Sequence, residues 1–349
     1  MKKDHLIYTS ASGLKSILAG FVAITLMGSI SKGQVASPVL THQTFTIPSG
    51  TTYVGISILK PAILRGSISS IPSPEHLAIQ TTFNGSTGLE PCPFMEITDC
   101  PSDPTLVGER FCIDSSSLRT PSQGGPHVLA VQRSAANTRS DLPSAFAGAS
   151  FSIYPAWTLV DLFGGGKQPP LLKAGALVAS CDTVTLVHGT GSTKYWLKAD
   201  KSKSPEWRAT TGSSLTPVIL PGDGFIVERR LGKPLRFSIA GERRQHLMRR
   251  PLRKGLNLIS LPHPETSSIS HLVLTPEQGW NSQDMLLVPN GQALRRFSWD
   301  VGNRKWQSLD VCLDGSIEDL PLLAPDRSFV IEKSSPDPDF SLIPRSFVP

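Results

Sequence analysis

The sequence predicts an all-β protein built from two related β modules, with a small β domain inserted in the first. Three observations support this prediction: short apolar segments between turn residues, a set of motifs that occurs twice, and a long interruption of the first set. The chain of 349 residues has 29 glycines and 30 prolines. Proline at this density breaks helices and separates short strands. Each module is expected to be a sandwich or a partly open barrel.

Five features recur in the same order in two parts of the chain. In the first part they are Asp182, Tyr195-Trp196, Trp207, Phe225 and Phe237, and in the second part Asp284, Phe297-Ser-Trp299, Trp306, Phe329 and Phe340. The separations are 102 residues for the aspartates, 99 for the second tryptophans, 104 for the first phenylalanines and 103 for the last. Loop insertions produce small differences of this kind, so we interpret the two parts as copies of one module.

The match extends upstream of these features. Segments 158–163 and 268–273 each begin with a residue that favours a helix N-cap, Thr158 and Ser268, and each predicts a short helical turn. Gly164 is a stop signal for the first turn. Further upstream, residues 47–61 resemble residues 252–262, since both place a strand between a glycine turn and a proline.

These matches define the expected domains. The second module is contiguous, at residues 250–344, whereas the first is split into residues 45–61 and 156–240. Residues 62–155 are then an inserted domain, which is long enough to fold by itself. Partial period-two alternation predicts strands at 65–71, 95–98, 110–114 and 128–132 within it.

The N-terminal residues 1–36 predict a secretory signal peptide. Lys2, Lys3 and Lys15 precede an uncharged run at 16–30, which is shorter than the ~20 apolar residues that span a bilayer. Small residues follow, and cleavage after Gly33 or after Ala36 stays open. The alternatives are an uncleaved anchor and a buried helix. No later stretch is long and apolar enough to cross a membrane. The expected location is the periplasm, the outer surface or the extracellular space.

The chain resembles a family of uncharacterised exported proteins from Verrucomicrobia. The resemblance depends on the signal peptide, on Trp157-Thr-Leu-Val-Asp-Leu-Phe163, on the strand at Asp182 and on the Pro-Gly-x-Gly-Phe-Ile-Val element at 221–227. It covers most of the mature chain and implies no activity, substrate or catalytic residue. The second module departs from the family pattern, because Pro325-Asp-Arg-Ser-Phe329 replaces the glycine-rich turn.

Five cysteines are an odd number for an oxidising compartment. Cys92, Cys100 and Cys112 lie close together in the sequence and predict one local disulfide among them. Cys181 and Cys312 are expected to be small buried residues. Metal binding by the clustered cysteines is disfavoured, since no CxxC pair and no neighbouring histidine pair accompanies them.

Positive charge is concentrated at residues 229–254. Loss of residues 1–36 would remove four lysines and one aspartate and lower the net charge from +6 to +3. The candidate polyanion patch consists of Arg229, Arg230, Arg243, Arg244, Arg249 and Arg250. The alternative, which we favour, is a solvated linker and an edge strand protected by charge from aggregation. Nucleic acid is disfavoured as a partner, because aromatic residues that could stack on bases are not interleaved.

The tryptophans allow two interpretations. Trp196, Trp207, Trp299 and Trp306 could lie on an open face and stack on carbohydrate or a peptide, or they could anchor the core of each module. Their recurrence favours the core, because a shared fold is filled in the same way twice.

No motif for catalysis, cofactor binding or metal binding was found in the sequence. There is no GxSxG, no HExxH and no phosphate loop. We therefore expect an exported, non-enzymatic structural or interaction protein of the cell envelope or the extracellular space. The alternatives are a carbohydrate-binding module or glycan-active enzyme, and polyanion binding through residues 229–254. The partner stays open, with an envelope component or a glycan as candidates.

Overall fold

The computed structural model describes most of the chain beyond residue 38, and the predicted signal peptide lies outside the described residues. The described residues are 39–81, 93–117, 127–132, 142–188, 191–200, 203–211, 217–230, 232–269, 272, 280–291, 293–310, 322–336 and 341–342. They belong to one compact unit, 39–349. The prediction of an all-β fold is confirmed.

The strands are numbered along the chain. The first module begins with β1 (Leu40–Ile47) and β2 (Gly50–Gly55). A β barrel follows, with β3 (Leu64–Ser73), β4 (His76–Gln80), β5 (Pro93–Asp99), β6 (Arg110–Ile113), β7 (His127–Gln132) and β8 (Ser150–Pro155). The first module resumes with β9 (Trp157–Thr158), helix α1 (Leu159–Phe163), β10 (Thr183–His188), β11 (Gly191–Asp200), β12 (Lys203–Ala209), β13 (Val218–Ile219), β14 (Gly224–Arg229) and β15 (Leu235–Glu242). The second module has β16 (Met248–Arg249), β17 (Gly255–Ser260), β18 (Ser267–Ser268), β19 (Met285–Asn290), β20 (Ala293–Asp300), β21 (Lys305–Ser308), β22 (Leu322–Leu323), β23 (Ser328–Lys333) and β24 (Ser341–Leu342).

The two modules have the same strand order. The five-stranded sheet of the first module is β2-β14-β10-β11-β12, and that of the second is β17-β23-β19-β20-β21. Each module also has two ribbons of two strands, β1-β15 and β9-β13 in the first, β16-β24 and β18-β22 in the second. All of these pairings are antiparallel. The two sets of strands therefore pair in the same order. That they are copies of one module stays a prediction.

The register agrees with this correspondence. Strands β2 and β14 pair from Gly50 with Arg229 to Gly55 with Gly224. Strands β17 and β23 pair over the same length, from Gly255 with Lys333 to Ser260 with Ser328. Position 55 thus corresponds to position 260, and position 224 to position 328.

The strand register corrects one match suggested by the aromatic residues, that of Trp196 with Trp299. Tyr195 lies opposite Val184, as Phe297 lies opposite Leu286, so these two aromatics correspond. Trp299 then corresponds to Leu197, which lies opposite Trp207 as Trp299 lies opposite Trp306. Because neighbouring residues of a strand point to opposite faces, Trp196 and Trp299 face opposite sides of their sheets.

The barrel is closed, with strand order β3-β4-β7-β6-β5-β8 and a final pairing of β8 with β3. Its core contains Phe111, Phe146 and Phe151. Strands β4 and β8 were not among the predicted strands. Most of their residues are buried on both faces, so the alternation that marks a half-exposed strand is missing.

The predicted helical turn at 158–163 is confirmed as α1. Thr158 caps it, because its Oγ1 accepts from Asp161 N at 3.1 Å while Asp161 Oδ2 accepts from Thr158 N at 2.7 Å. Gly164 ends the turn, with its N–H donating to Val160 O. Part of the corresponding segment 268–273 lies outside the described residues, and Ser268 is in β18.

Candidate functional site

A group of interacting charged side chains lies where the barrel meets the segment between the two modules. We call residues 243–250 the connecting segment; it follows β15 and includes β16, the first strand of the second module. The junction cluster consists of Glu96 and Arg110 from the barrel, Asp223 from the first module, and Arg244, His246 and Arg250 from the connecting segment.

Strand β5 positions Glu96 on the outer face of the barrel. Its neighbours Met95 and Ile97 point into the barrel core. On the outer face, Phe94 packs with Leu59 and Tyr154 in an apolar cluster between the barrel and the first module. Glu96 is therefore buried although it points away from the barrel core, because the rest of the chain covers this face.

Arg244 binds Glu96 through two parallel contacts. Its Nε donates to Oε1 at 2.8 Å and its Nη2 to Oε2 at 3.0 Å. Both side chains are 0% exposed. The two-pronged geometry is the strongest that an arginine and a carboxylate can form, and removal of water strengthens the attraction further. Arg244 Nη1 is buried and has no hydrogen-bond partner among the described residues.

His246 is the second hydrogen-bond partner of the Glu96 carboxylate. Its Nε2 lies 2.5 Å from Glu96 Oε1, and its side chain is 12% exposed. Since an ionised carboxylate only accepts, Nε2 carries the shared proton. Burial alone would raise the pKa of Glu96, but the charges of Arg244 and His246 and the hydrogen bond from His246 lower this pKa to about 2.

Arg110 joins the barrel to the first module and to the connecting segment. Its Nη1 donates to Pro221 O at 2.7 Å and its Nε to Arg249 O at 3.2 Å. Burial lowers the pKa of Arg110, and the nearby carboxylate of Asp223 opposes this shift. An arginine stays protonated under such a shift, so the group remains a cation.

Arg250 continues the cluster into the second module. It forms an ion pair with Asp223 Oδ1 at 3.2 Å, and its Nη1 donates to Leu258 O at 2.8 Å. One guanidinium group thus contacts both modules beside the barrel.

The backbone of the connecting segment also lies against the barrel. Arg249 N donates to Gly108 O at 3.1 Å, and Arg249 Nε donates to Val107 O at 3.2 Å. Gly108 has a φ of +86°, and a β-carbon there would lie 2.3 Å from Leu247 O. Only glycine fits this position, since both the backbone angle and the close approach exclude a side chain.

The junction cluster is suited to holding parts of the chain together. A general base at neutral pH needs a pKa near 7, whereas the pKa of Glu96 is about 2. Its carboxylate is already occupied by a guanidinium and an imidazole. Each of the two carboxylates in the cluster is therefore already paired with a cation inside the molecule.

The recurring aspartates have an explained structural role. Asp182 Oδ1 accepts from Arg230 N at 2.9 Å, and Asp284 Oδ1 accepts from the corresponding Ser334 N at 2.9 Å. Asp284 also forms a fully buried ion pair with Lys333 at 2.5 Å. Each aspartate thus binds the end of the neighbouring strand.

The four candidate tryptophans are all buried. Trp196, Trp207 and Trp299 are each 9% exposed, and Trp306 is 5% exposed. Trp207 Nε1 donates to Gly164 O at 2.9 Å, and Trp306 Nε1 donates to Leu272 O at 3.2 Å. Trp207 belongs to the core of the first module and Trp299 and Trp306 to that of the second, which favours the interpretation of these three as core anchors. Trp196 is buried on the opposite face of its sheet, outside that core cluster. A role in ligand binding stays a prediction.

The six arginines of the candidate polyanion patch each contact other parts of the chain. Arg244, Arg249 and Arg250 belong to the contacts of the connecting segment. Arg229 donates to Ile47 O at 2.7 Å, and Arg230 Nε donates to Cys181 O at 3.2 Å. Arg243 forms an ion pair with Glu265 at 2.7 Å. Polyanion binding stays a prediction, and these contacts do not support it.

The predicted disulfide is only partly within the described residues. Cys92 lies outside them. Cys100 is a buried free thiol whose Sγ lies 3.4 Å from Ala145 O. Cys181 is a buried free thiol, as expected for a small core residue, and Cys312 lies outside the described residues.

The described residues contain neither a cluster of metal ligands nor a membrane-spanning helix. In this part of the chain, no group of three or more His, Cys, Asp or Glu side chains is placed to hold a metal ion. No helix within it has the length and the apolar character needed to cross a membrane.

Comparisons with known proteins give no match. No protein-family model, curated protein or solved structure matches this chain.

Sequence reasoning did not single out Glu96, Arg110 or His246. One signal was available for Glu96, since a lone charged residue between apolar neighbours in a strand is costly to bury without a partner. The partner could not be found in this way, because Arg244 is 148 residues away along the chain.

Proposed function

We propose that the chain is an exported, non-enzymatic structural or interaction protein of the cell envelope or the extracellular space. The observation that carries the structural part of the proposal is the fully buried pair of Arg244 and Glu96. It places the strongest charge interaction of the junction cluster at an internal contact, where it fixes the barrel to the connecting segment. Such a fixed barrel is suited to presenting a constant surface to a partner.

Export is supported by the N-terminal pattern of residues 1–36 and by the resemblance to exported proteins from Verrucomicrobia. We propose that residues 1–36, with their basic start and uncharged run, are removed as a signal peptide. The matched motifs support two copies of one module as the framework of the mature protein.

The alternatives have less support. Glycan binding by stacking needs open aromatic faces, and the candidate tryptophans are buried. Polyanion binding needs arginine groups that are available to a ligand. Arg244 is buried, and the other arginines, although half-buried or exposed, already contact carboxylates or carbonyl groups of the chain.

Export is tested by fractionation of bacteria that produce the full chain with a C-terminal tag. We expect the protein outside the cytoplasm, with the intact mass of a chain that has lost about the first 36 residues. A matched variant, Ile24→Arg with Leu26→Arg, should stay in the cytoplasm at full length, because charges interrupt the apolar run. A wild-type chain that stays uncleaved in the cytoplasm contradicts export.

The non-enzymatic role is tested with the purified exported chain. We expect it to co-sediment with isolated envelopes and to leave envelope polymers intact over prolonged incubation. Steady turnover of a polymer substrate that a single side-chain substitution abolishes, without unfolding, would overturn this part of the proposal.

A further inference from the structure

The two modules touch each other through contacts that repeat with the modules exchanged. Gly55 N donates to Asp326 O at 3.1 Å, and Ser260 N donates to Gly222 O at 3.0 Å. Position 55 of the first module corresponds to 260 of the second, and 222 corresponds to 326. The two hydrogen bonds are therefore the same bond made once in each direction.

The isolated strand bridges between the modules show the same exchange. Val54 bridges Arg327, and Asp223 bridges Ile259. Val54 corresponds to Ile259, and Asp223 corresponds to Arg327. A surface in which residue i contacts j while j contacts i is the pattern of a two-fold, self-complementary interface.

Two positions meet their own counterparts at this interface. A β-carbon on Gly55 would lie 2.4 Å from Ser260 Cβ, and one on Gly224 would lie 2.4 Å from Ser328 Cβ. A residue meets its own counterpart only next to a two-fold axis. The axis thus passes between β2 and β17 and between β14 and β23.

We propose that the chain is a covalently joined dimer of one β module. The surface formed by β2 and β14, and by β17 and β23 in the other module, is the surface through which this module binds a second copy of itself. The inference rests on the proposed framework of two module copies, but not on export or on the absence of an enzymatic activity.

The glycines at the axis follow from this arrangement. Two β-carbons cannot approach to 2.4 Å, so one residue of each facing pair lacks a side chain. Neither Gly55 nor Gly224 has a positive φ, so space and not backbone angle requires glycine there. Two copies of one chain would carry the same residue on both sides. Joining the modules in one chain lets the two sides differ, and here the first module carries both glycines.

The test moves each glycine to the other side of the axis and measures the melting temperature of the full chain. Gly224→Ser alone should lower the Tm by about 2–6 °C, since overpacking costs about 1–3 kcal/mol. Adding Ser328→Gly should restore most of the loss, since it removes the contacts with Ser328 and leaves Leu258 Cγ at 2.8 Å, a side-chain atom that can shift. The control Gly302→Ser should change little, because its new β-carbon would lie at an ordinary 3.4 Å from its nearest neighbour, Asp300 Oδ1.

The pair Gly55 and Ser260 distinguishes a two-fold interface from a clash between two side chains. A β-carbon added at Gly55 would also lie 2.6 Å from Arg327 O, so removing the side chain of Ser260 alone does not make room. Gly55→Ser with Ser260→Gly regains stability only if the interface can adopt the arrangement with the modules exchanged.

Recovery in both double variants supports the proposal. A Gly55→Ser, Ser260→Gly chain that melts as low as Gly55→Ser alone overturns it, whatever the outcome at positions 224 and 328. Amide hydrogen exchange gives a second readout, since Gly224→Ser should speed exchange at Gly55 and Ser260 together. Faster exchange at only one of them contradicts a shared axis.

Discussion

At the scale of single residues, Glu96 is a position where burying a charge is costly and where neighbouring charges offset that cost. A carboxylate without contact to water is stable only with full compensation, which Arg244 and His246 supply. The pair contributes less through its own attraction than through the penalty that follows when one partner is lost.

Arg244→Met is expected to lower the free energy of unfolding by about 3–5 kcal/mol, because it leaves Glu96 buried without its guanidinium partner. Urea denaturation measures this change. Arg208→Met is the matched control, since its ion pair with Glu206 is 41% and 57% exposed and should be worth less than about 1 kcal/mol. Equal effects of the two substitutions would show that the Arg244–Glu96 pair is not buried.

The ionisation of Glu96 is also expected to make the free energy of unfolding depend on pH. The pKa of Glu96 falls from 4.5 to about 2 on folding, so its contribution is complete above pH 4.5 and is lost as pH falls toward 2. The loss is on the order of 3 kcal/mol. Glu96→Gln should flatten the unfolding free energy against pH in this window. A variant with the same acid slope as wild type would contradict the assignment.

At the scale of elements, the connecting segment links the parts of the fold. It binds the barrel through backbone contacts at Gly108 as well as through charges. Its arginines look in sequence like a surface patch, because clustered positive charge is usually solvated. Their carboxylate and carbonyl partners come from distant elements and could not be predicted from local sequence.

Gly108→Ala is expected to destabilise the contact between the segment and the barrel more than Gly148→Ala does. Both glycines have nearly the same φ, +86° and +87°, so the backbone strain of an alanine is alike. Only at Gly108 would the new β-carbon meet an atom, Leu247 O at 2.3 Å. Thermal melting of both variants isolates this contact, and equal Tm losses would contradict it.

At the scale of the whole molecule, the all-β class could be predicted because short apolar segments alternate with turn residues along the chain. Residues matched between the two predicted modules also make similar contacts. Asp182 and Asp284 bind strand ends, and Trp207 and Trp306 donate to buried carbonyl groups. The match of Trp196 with Trp299 failed, because residue type was compared without strand register.

The closure of the barrel and the junction cluster lay beyond sequence reasoning. Closure depends on β8 returning to β3, a pairing of segments far apart in the chain. The cluster depends on Arg244 reaching Glu96 across 148 residues. Neither the pairing of β8 with β3 nor the pair of Arg244 and Glu96 produces a periodic or local pattern in the sequence.

The most direct test of the account is amide hydrogen exchange of the full chain, in wild type and in Arg244→Met. If the buried pair fixes the barrel to the connecting segment, residues 243–250 and strand β5 are protected in the wild type. Both should exchange faster in the variant, while β19 and β23 of the second module stay protected. Rapid exchange of residues 243–250 in the wild type, or no change in the variant, would contradict the account.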